Sequence, residues 1–235
     1  MNIVNDFRDT CEKGDLESLK KLMKTKSNSG SHNLRYICRS GFQKACQEGF
    51  QKACWEGHLN IIQYIIQTAK NTLTRTDFQK GFSAACLNQH ILIIAYLKRS
   101  FDLQSQYQNE FFINCCNGNL ETVKYLIEKC GVYVHADEER GFRNACKNGQ
   151  VNIVEYLYEE HDVDIYVRRL EGFRLACENR HLYVIKYLCK KYKNSKKNSY
   201  RIVLEEQILK SETKEYSEIH DSDTLILEEQ LIMIV

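Results

Sequence analysis

Apolar residues recur along the chain in a two-part pattern. Phe7, Phe50, Phe82, Phe111, Phe142 and Phe173 are each followed four residues later by a cysteine: Cys11, Cys54, Cys86, Cys115, Cys146 and Cys177. Residues four apart share one face of a helix, so each Phe–Cys pair marks the apolar stripe of a short helix. A second pattern follows each first one: GHLNIIQYI at Gly57, HILIIAYL at His90, GNLETVKYL at Gly118, GQVNIVEYL at Gly149 and HLYVIKYL at His181. In the fourth of these, Val151, Val154, Leu157 and Tyr158 keep the 3–4 spacing of an amphipathic helix. Between the two helices, Asn148-Gly149 supplies residues that tolerate the left-handed conformation of a helix C-cap. Asn-Gly also suits a hairpin, but helical periodicity on both sides argues against that here. Asp15 and Asn119 are suited to N-cap the second helix of their units.

The intervals between successive repeat cysteines are 43, 32, 29, 31 and 31. FQKACQEG at Phe42–Gly49 is nearly copied as FQKACWEG at Phe50–Gly57, and removing eight residues brings the long interval to 35. Six helix-turn-helix units are therefore expected over residues 1–198. An eight-residue shift rotates a helix by about 80° net, so one continuous helix is not expected to hold both copies on its core stripe. Gly49 is the expected break, with Phe50–Cys54 the true first helix and Phe42–Cys46 an extra turn beside it. The polar run Lys26–Ser31 reads as a loop.

After Leu188 the pattern stops. Residues 186–198 hold six lysines and no acid, and residues 199–235 hold nine acids against three bases. Within this second segment, VLEEQIL at Val203 resembles ILEEQLI at Ile226. The first is expected to cap the last unit's apolar flank, so residues 199–235 form a capping helix and an acidic, apolar tail.

Composition narrows the function. Lys+Arg of 33 against Asp+Glu of 31 gives a net charge of +2, with no global basic field for nucleic acid. The longest apolar run, Ile91–Leu97, is far short of the ~20 residues that span a membrane, and the N-terminus has no signal-peptide pattern. Eleven cysteines are an odd number with no paired metal-ligand spacing, and those on the stripes read as small buried hydrophobes. A reduced, cytoplasmic protein is expected. No nucleophile-elbow, zinc-protease, dinucleotide or P-loop motif occurs, so neither an enzyme nor a cofactor or metal site is expected. His58, His90 and His181 recur at one position, which points to turn or inter-repeat packing. Tyr64, Tyr96, Tyr125, Tyr156 and Tyr187 recur on the second helix, where their rings cover helix interfaces. The lysines of 190–197 are read as a solvated helix end. A nuclear signal, or a strip for nucleic acid or phosphoinositide, is the alternative.

The segment GFRNACKNGQVNIVEYLYEEHDVDI resembles ankyrin repeats. Ala145-Cys146-x-x-Gly149 resembles the family's Ala-Ala-x-x-Gly, and Val151-x-x-Val154-x-x-Leu157 resembles its second helix. The likeness spans roughly residues 5–192 and is nearest to the Tyr-Leu-ending repeats of large DNA viruses and some protists, which implies host cytoplasm if the protein is viral. The family's Thr-Pro-Leu-His start is missing from every unit: Gly141 and Phe142 stand where its Pro and Leu would be. The resemblance implies an all-α ankyrin-like solenoid. It also implies a non-enzymatic scaffold or adaptor, monomeric, that binds another protein through a concave face. On that resemblance the residue after each repeat cysteine faces the partner: Trp55, Leu87, Cys116, Lys147 and Glu178. These vary while the stripe positions stay fixed.

Overall fold

The structure is a computed structural model and describes residues 3–25 and 32–193. Among them are twelve α-helices in six successive pairs: α1 (Ile3–Glu12) and α2 (Leu16–Thr25), α3 (His32–Glu56) and α4 (Leu59–Ala69), α5 (Arg75–Leu87) and α6 (Ile91–Ser100), α7 (Gln104–Asn117) and α8 (Leu120–Cys130), α9 (Ala136–Lys147) and α10 (Val151–His161), α11 (Val167–Glu178) and α12 (Leu182–Lys193). The fold is an all-α helical repeat. The expected loop at 26–31, the lysines beyond 193 and the expected capping helix and tail lie outside the described residues. The chain divides into two compact units, one of residues 1–110 with 121–131 and one of residues 111–120 with 132 onward.

Each first helix buries its stripe completely. Phe50, Phe82, Phe111 and Phe173 have no exposed surface, and Phe7 and Phe142 almost none. The second helices bury Ile61, Ile62 and Ile65 in α4, Ile93 and Ile94 in α6, and Val184 and Leu188 in α12. In α10 the buried residues are Ile153, Val154 and Leu157, whereas Val151 and Tyr158 are half-buried. Burying a side chain of this size stabilises by roughly 1.5–3 kcal/mol.

Glycine sets how closely successive pairs approach. A β-carbon on Gly49 would lie 2.7 Å from Cys11 Sγ and 2.8 Å from the Phe7 ring, and one on Gly81 would lie 2.6 Å from Phe50 and 2.9 Å from Cys54. In the second unit Gly141 meets Phe111 and Cys115, and Gly172 meets Phe142 and Cys146, in the same way. The residue before each of these phenylalanines is thus the stacking position.

That assignment corrects the expected break at Gly49. Helix α3 runs unbroken through both copies of the duplication. Its Ala45, Cys46, Ala53 and Cys54 are all fully buried. A single stripe cannot hold both copies, but α3 packs against α1, α4 and α5, so its buried surface is wider than one stripe. The rotation shows at the phenylalanines: Phe50 is buried, while Phe42 is half-buried, its ring set edge-to-face against Phe7 with centres 6.3 Å apart. Phe50 and Cys54 receive Gly81, so the second copy is the true first helix, as expected.

The starts of the first helices differ. Helix α5 carries a reciprocal cap, in which Asp77 N–H donates to Thr74 Oγ1 and Thr74 N–H donates to Asp77. Gln47 and Gln51 donate to the same carboxylate, at 3.0 and 3.2 Å. In the second unit Asp137–Glu139 and Arg168–Leu170 instead hold three successive left-handed residues each, with φ from 49° to 62°. Such a conformation costs an L-residue about 1–2 kcal/mol. Side chains hold the first of these turns. The Arg143 guanidinium donates to the carbonyls of Asp137 and Glu138 and pairs with Glu171, and buried Glu139 accepts from Asp164 N–H at 3.2 Å. Leu170, fully buried, occupies the position of Glu139 in the next pair.

At one stacking position the glycine is replaced. Glu110 precedes Phe111, is 3% exposed, and accepts from Ser83 Oγ at 2.5 Å. Burial raises its carboxyl above the usual carboxylate range, and the Ser83 hydrogen bond opposes that only in part.

Two outcomes test this packing. Gly41, one position before Phe42 in the first copy, has nothing within 4 Å of where its β-carbon would be. Gly41→Ala should therefore raise stability by up to about 1 kcal/mol, whereas Gly49→Ala should cost about 1–3 kcal/mol by overpacking. Chemical denaturation of the two variants measures both, and equal effects would contradict the stacking assignment. For Glu110 the folded pKa is raised, so folding favours the neutral acid. Its stabilisation is present at low pH and is lost as pH rises from the unfolded value of about 4.3 through the folded one. Glu110→Gln should raise the melting temperature near pH 7 and change it little near pH 4.

Candidate functional site

The variable residues stand where the first helices end. In the α9–α10 turn Gly149 has φ +73°, Gln150 N–H donates to Ala145 O at 2.9 Å, and Gly149 N–H donates to Cys146 O at 3.3 Å. These are the two bonds of a Schellman cap. The same pair closes the turn at Gly14, and also at Gln89 and Arg180, which take φ of 57° and 58° without being glycine. Asp15 caps α2 as expected, accepting from Ser18 N–H at 3.0 Å, and hydrogen bonds from the Ser18 side chain and backbone lower its carboxyl pKa. Asn119, just before α8, is buried, and its amide donates to Asn114 Oδ1 at 2.8 Å.

The recurrent histidines form a backbone latch. His58 Nε2 lies 2.8 Å from Glu12 O, and His90 Nε2 lies 2.8 Å from Trp55 O. In the second unit Gln150 Nε2 donates to Cys116 O at 3.1 Å, and His181 Nε2 lies 2.9 Å from Lys147 O. Each of these side chains also rests on the positive-φ glycine of the pair before it: His58 on Gly14, His90 on Gly57, Gln150 on Gly118 and His181 on Gly149. Glu12, Trp55, Cys116 and Lys147 thus give their carbonyls to stacking, and the Glu12 side chain adds an ion pair to Lys52 of the next pair. Glu12 is the member of this series that the sequence reading left out, although its place after Cys11 marks it.

The structure distributes the five expected partner-binding residues over both units. Trp55 and Leu87 belong to the first, and Cys116, Lys147 and Glu178 to the second. Trp55 is 47% exposed, Leu87 and Cys116 are half-buried, and Lys147 and Glu178 are exposed. Trp55 and Leu87 line one open groove of about 790 Å³, together with Arg8, Glu48, Gln51, Lys52, Thr76, Gln79, Lys80, Ser83, Ala84 and Gln106. Helix α3 supplies one wall and α5 the other. The first unit also holds a recess of about 530 Å³ whose lining includes Lys98, Arg99 and Lys129.

The stripe cysteines have the environment of core residues. Burial pushes the Cys11 and Cys177 thiols up to about 12, and raises Cys54, Cys86, Cys115 and Cys146 as well. Partial burial raises Cys116 too, opposed by the positive charges of Arg140 and Lys147. Among the described residues, no cluster of three His, Cys, Asp or Glu side chains could hold a metal ion. No helix among them is long and apolar enough to cross a membrane. Of the lysine run, Lys191 pairs with Glu159 and lies 5.1 and 5.2 Å from the centres of the Tyr158 and Tyr187 rings.

Fold and site together define a helical-repeat protein whose recurrent surface position changes from one repeat to the next. Residues 111–201 match the family model of ankyrin repeats in three copies, so this stretch carries ankyrin repeats. No curated protein matches the sequence. Ankyrin repeats are generally scaffolds for protein–protein interaction and typically lack enzymatic activity.

The thiols offer a direct check of the packing. A thiol reacts as its thiolate, and burial suppresses both ionisation and access. Native protein should label faster at Cys116 than at Cys54, Cys86, Cys146 and Cys177, read by peptide mass spectrometry after brief alkylation. Labelling of Cys146 as fast as Cys116 would contradict the packed stripe.

Proposed function

We propose that the protein is a non-enzymatic scaffold or adaptor that binds a protein partner through the residues following its repeat cysteines. Trp55 is the observation that carries this reading. It is the sole tryptophan, it stands half out of water in a groove, and its carbonyl rather than its indole carries the bond to His90. Large exposed aromatics are costly in water and are among the commonest interface hot spots. Cys116, Lys147 and Glu178 would offer the corresponding surface of the second unit. Monomeric action in the cytoplasm fits this role, and adaptor assembly needs no cofactor. The rival reading, phosphate recognition by 190–197, is disfavoured because Lys191 is already held by Glu159 and two tyrosine rings.

Trp55→Ala should weaken partner binding by about 2 kcal/mol or more with little change in melting temperature. Lys147→Glu should weaken it less, mainly by slowing association. Binding kinetics on immobilised partner, paired with thermal melts, measures both. A lowered melting temperature with binding untouched at Trp55→Ala would make this residue part of the core and overturn the assignment.

A further inference from the structure

The side-chain amide of asparagine is chemically labile. It is most so before glycine, which has no β-carbon to hinder attack by its own nitrogen. The chain holds two Asn-Gly steps, Asn117-Gly118 and Asn148-Gly149. Each closes a first helix, each asparagine is exposed, and the glycines take φ of +79° and +73°. What holds them differs. Asn148 Nδ2 donates to Asn144 O at 2.8 Å, and Gly149 N–H donates to Cys146 O at 3.3 Å. Asn88 and Asn179, at the same place in their pairs, tether their amides to Ala84 O at 3.0 Å and Leu175 O at 2.8 Å. Neither bond is made at the end of α7. Among the described residues the Asn117 amide has no hydrogen-bond partner, and Gly118 N–H has no acceptor. Only Asn119 N–H closes this turn, onto Asn114 O at 3.2 Å.

We infer that Asn117-Gly118 is a site of spontaneous chemical modification in the folded protein, deamidating and isomerising there while Asn148-Gly149 is spared. The reaction needs only base and water. The Gly118 nitrogen, its proton taken by hydroxide, bonds to Asn117 Cγ. The bond from Cγ to the amide nitrogen breaks, ammonia leaves with a proton from water, and a succinimide ring is closed. Water then adds to one of the two ring carbonyls and opens the ring. The product is aspartate, or isoaspartate where the chain now runs through the side chain. No group is oxidised or reduced. At a helix end the next nitrogen points away from Cγ, so the turn must open before the ring can close. A hydrogen bond on either reacting group adds to the cost of that opening.

The modification falls where it disturbs the stack. Cys116, one residue earlier, gives its carbonyl to Gln150 at 3.1 Å, and the Gln150 side chain rests on Gly118. Isoaspartate adds a backbone atom to this turn and so moves the carbonyl that Gln150 holds. Either product places a carboxylate at a helix C-terminus, the end at which negative charge is unfavourable.

The full chain supplies both the site and its control. It is incubated at mildly alkaline pH, below its melting temperature, and sampled over time by peptide mass spectrometry that separates aspartate from isoaspartate. A parallel sample in concentrated guanidinium chloride removes the fold, and there the two asparagines should convert at similar rates. In the native chain Asn117 should convert about tenfold faster than Asn148, as expected for two fewer hydrogen bonds to break. The melting temperature of the wild type should fall as Asn117 converts. Asn117→Gln, an exposed change that lengthens the ring to be closed, should hold its melting temperature through the same incubation. Native rates that are equal, or faster at Asn148, would overturn the inference. Conversion in denaturant with none at Asn117 in the native chain would overturn it too. Full conversion with an unchanged melting temperature would overturn the effect on the stack.

Discussion

Because glycine lacks a β-carbon, the first helix of one pair can settle onto the Phe–Cys edge of the pair before it. At Gly49, Gly81, Gly141 and Gly172 that carbon would lie 2.6 to 2.9 Å from an atom of the preceding phenylalanine or cysteine, closer than atoms in contact can approach. The phenylalanine fills the space between helices, and the cysteine is small enough to pass beneath it. Interiors are close-packed, so one added methyl at such a crossing propagates into the neighbouring pair. Glu110 shows what happens when the glycine is absent. The larger side chain is accommodated by a hydrogen bond to Ser83 and by a carboxyl whose burial favours its neutral form.

A division of labour between backbone and side chain follows from this stacking. At four of the six repeats the residue after the repeat cysteine gives its carbonyl to the histidine or glutamine of the next pair, and that bond is indifferent to the side chain it passes. Glutamate, tryptophan, cysteine and lysine can therefore occupy this position without altering the stack. The histidine's other contact is with the left-handed glycine, whose β-carbon would collide with it. Gly14, Gly57 and Gly149 thus have two reasons to be glycine. Arg180, in the last described pair, carries the same left-handed φ with a side chain attached.

Much of this was legible in the sequence, and the failures have physical causes. The Phe–x–x–x–Cys stripe and the second-helix pattern located six helix pairs, because an amphipathic period reports burial directly. The lone recurrent histidines were readable as packing groups, although the carbonyls they reach were not. Gly49 misled because a glycine inside a helix reads as a break until the neighbouring helix that needs the missing β-carbon is in view. The left-handed turn at Asp137–Glu139 was not legible, since part of what holds it, the bond from Asp164 N–H to Glu139, joins residues distant in sequence. The groove residues Arg8, Lys80 and Gln106 were invisible for the same reason. They come from three helices, and only tertiary packing brings them beside Trp55 and Leu87.

The duplication within α3 is an internal experiment on what faces outward. FQKACQEG and FQKACWEG share all but one residue, yet a displacement of eight residues turns the second copy about 80° from the first. In the first copy Gln47 reaches the linker before α5, donating to Thr72 O and Asp77. In the second copy the corresponding side chain, Trp55, opens onto the groove instead. The single exchange between the copies falls at a residue whose surroundings differ between them. A tryptophan at position 47 would have displaced the amide that steadies the Thr74–Asp77 cap. At position 55 no such amide is displaced, and the backbone carbonyl keeps its bond to His90 whatever the side chain.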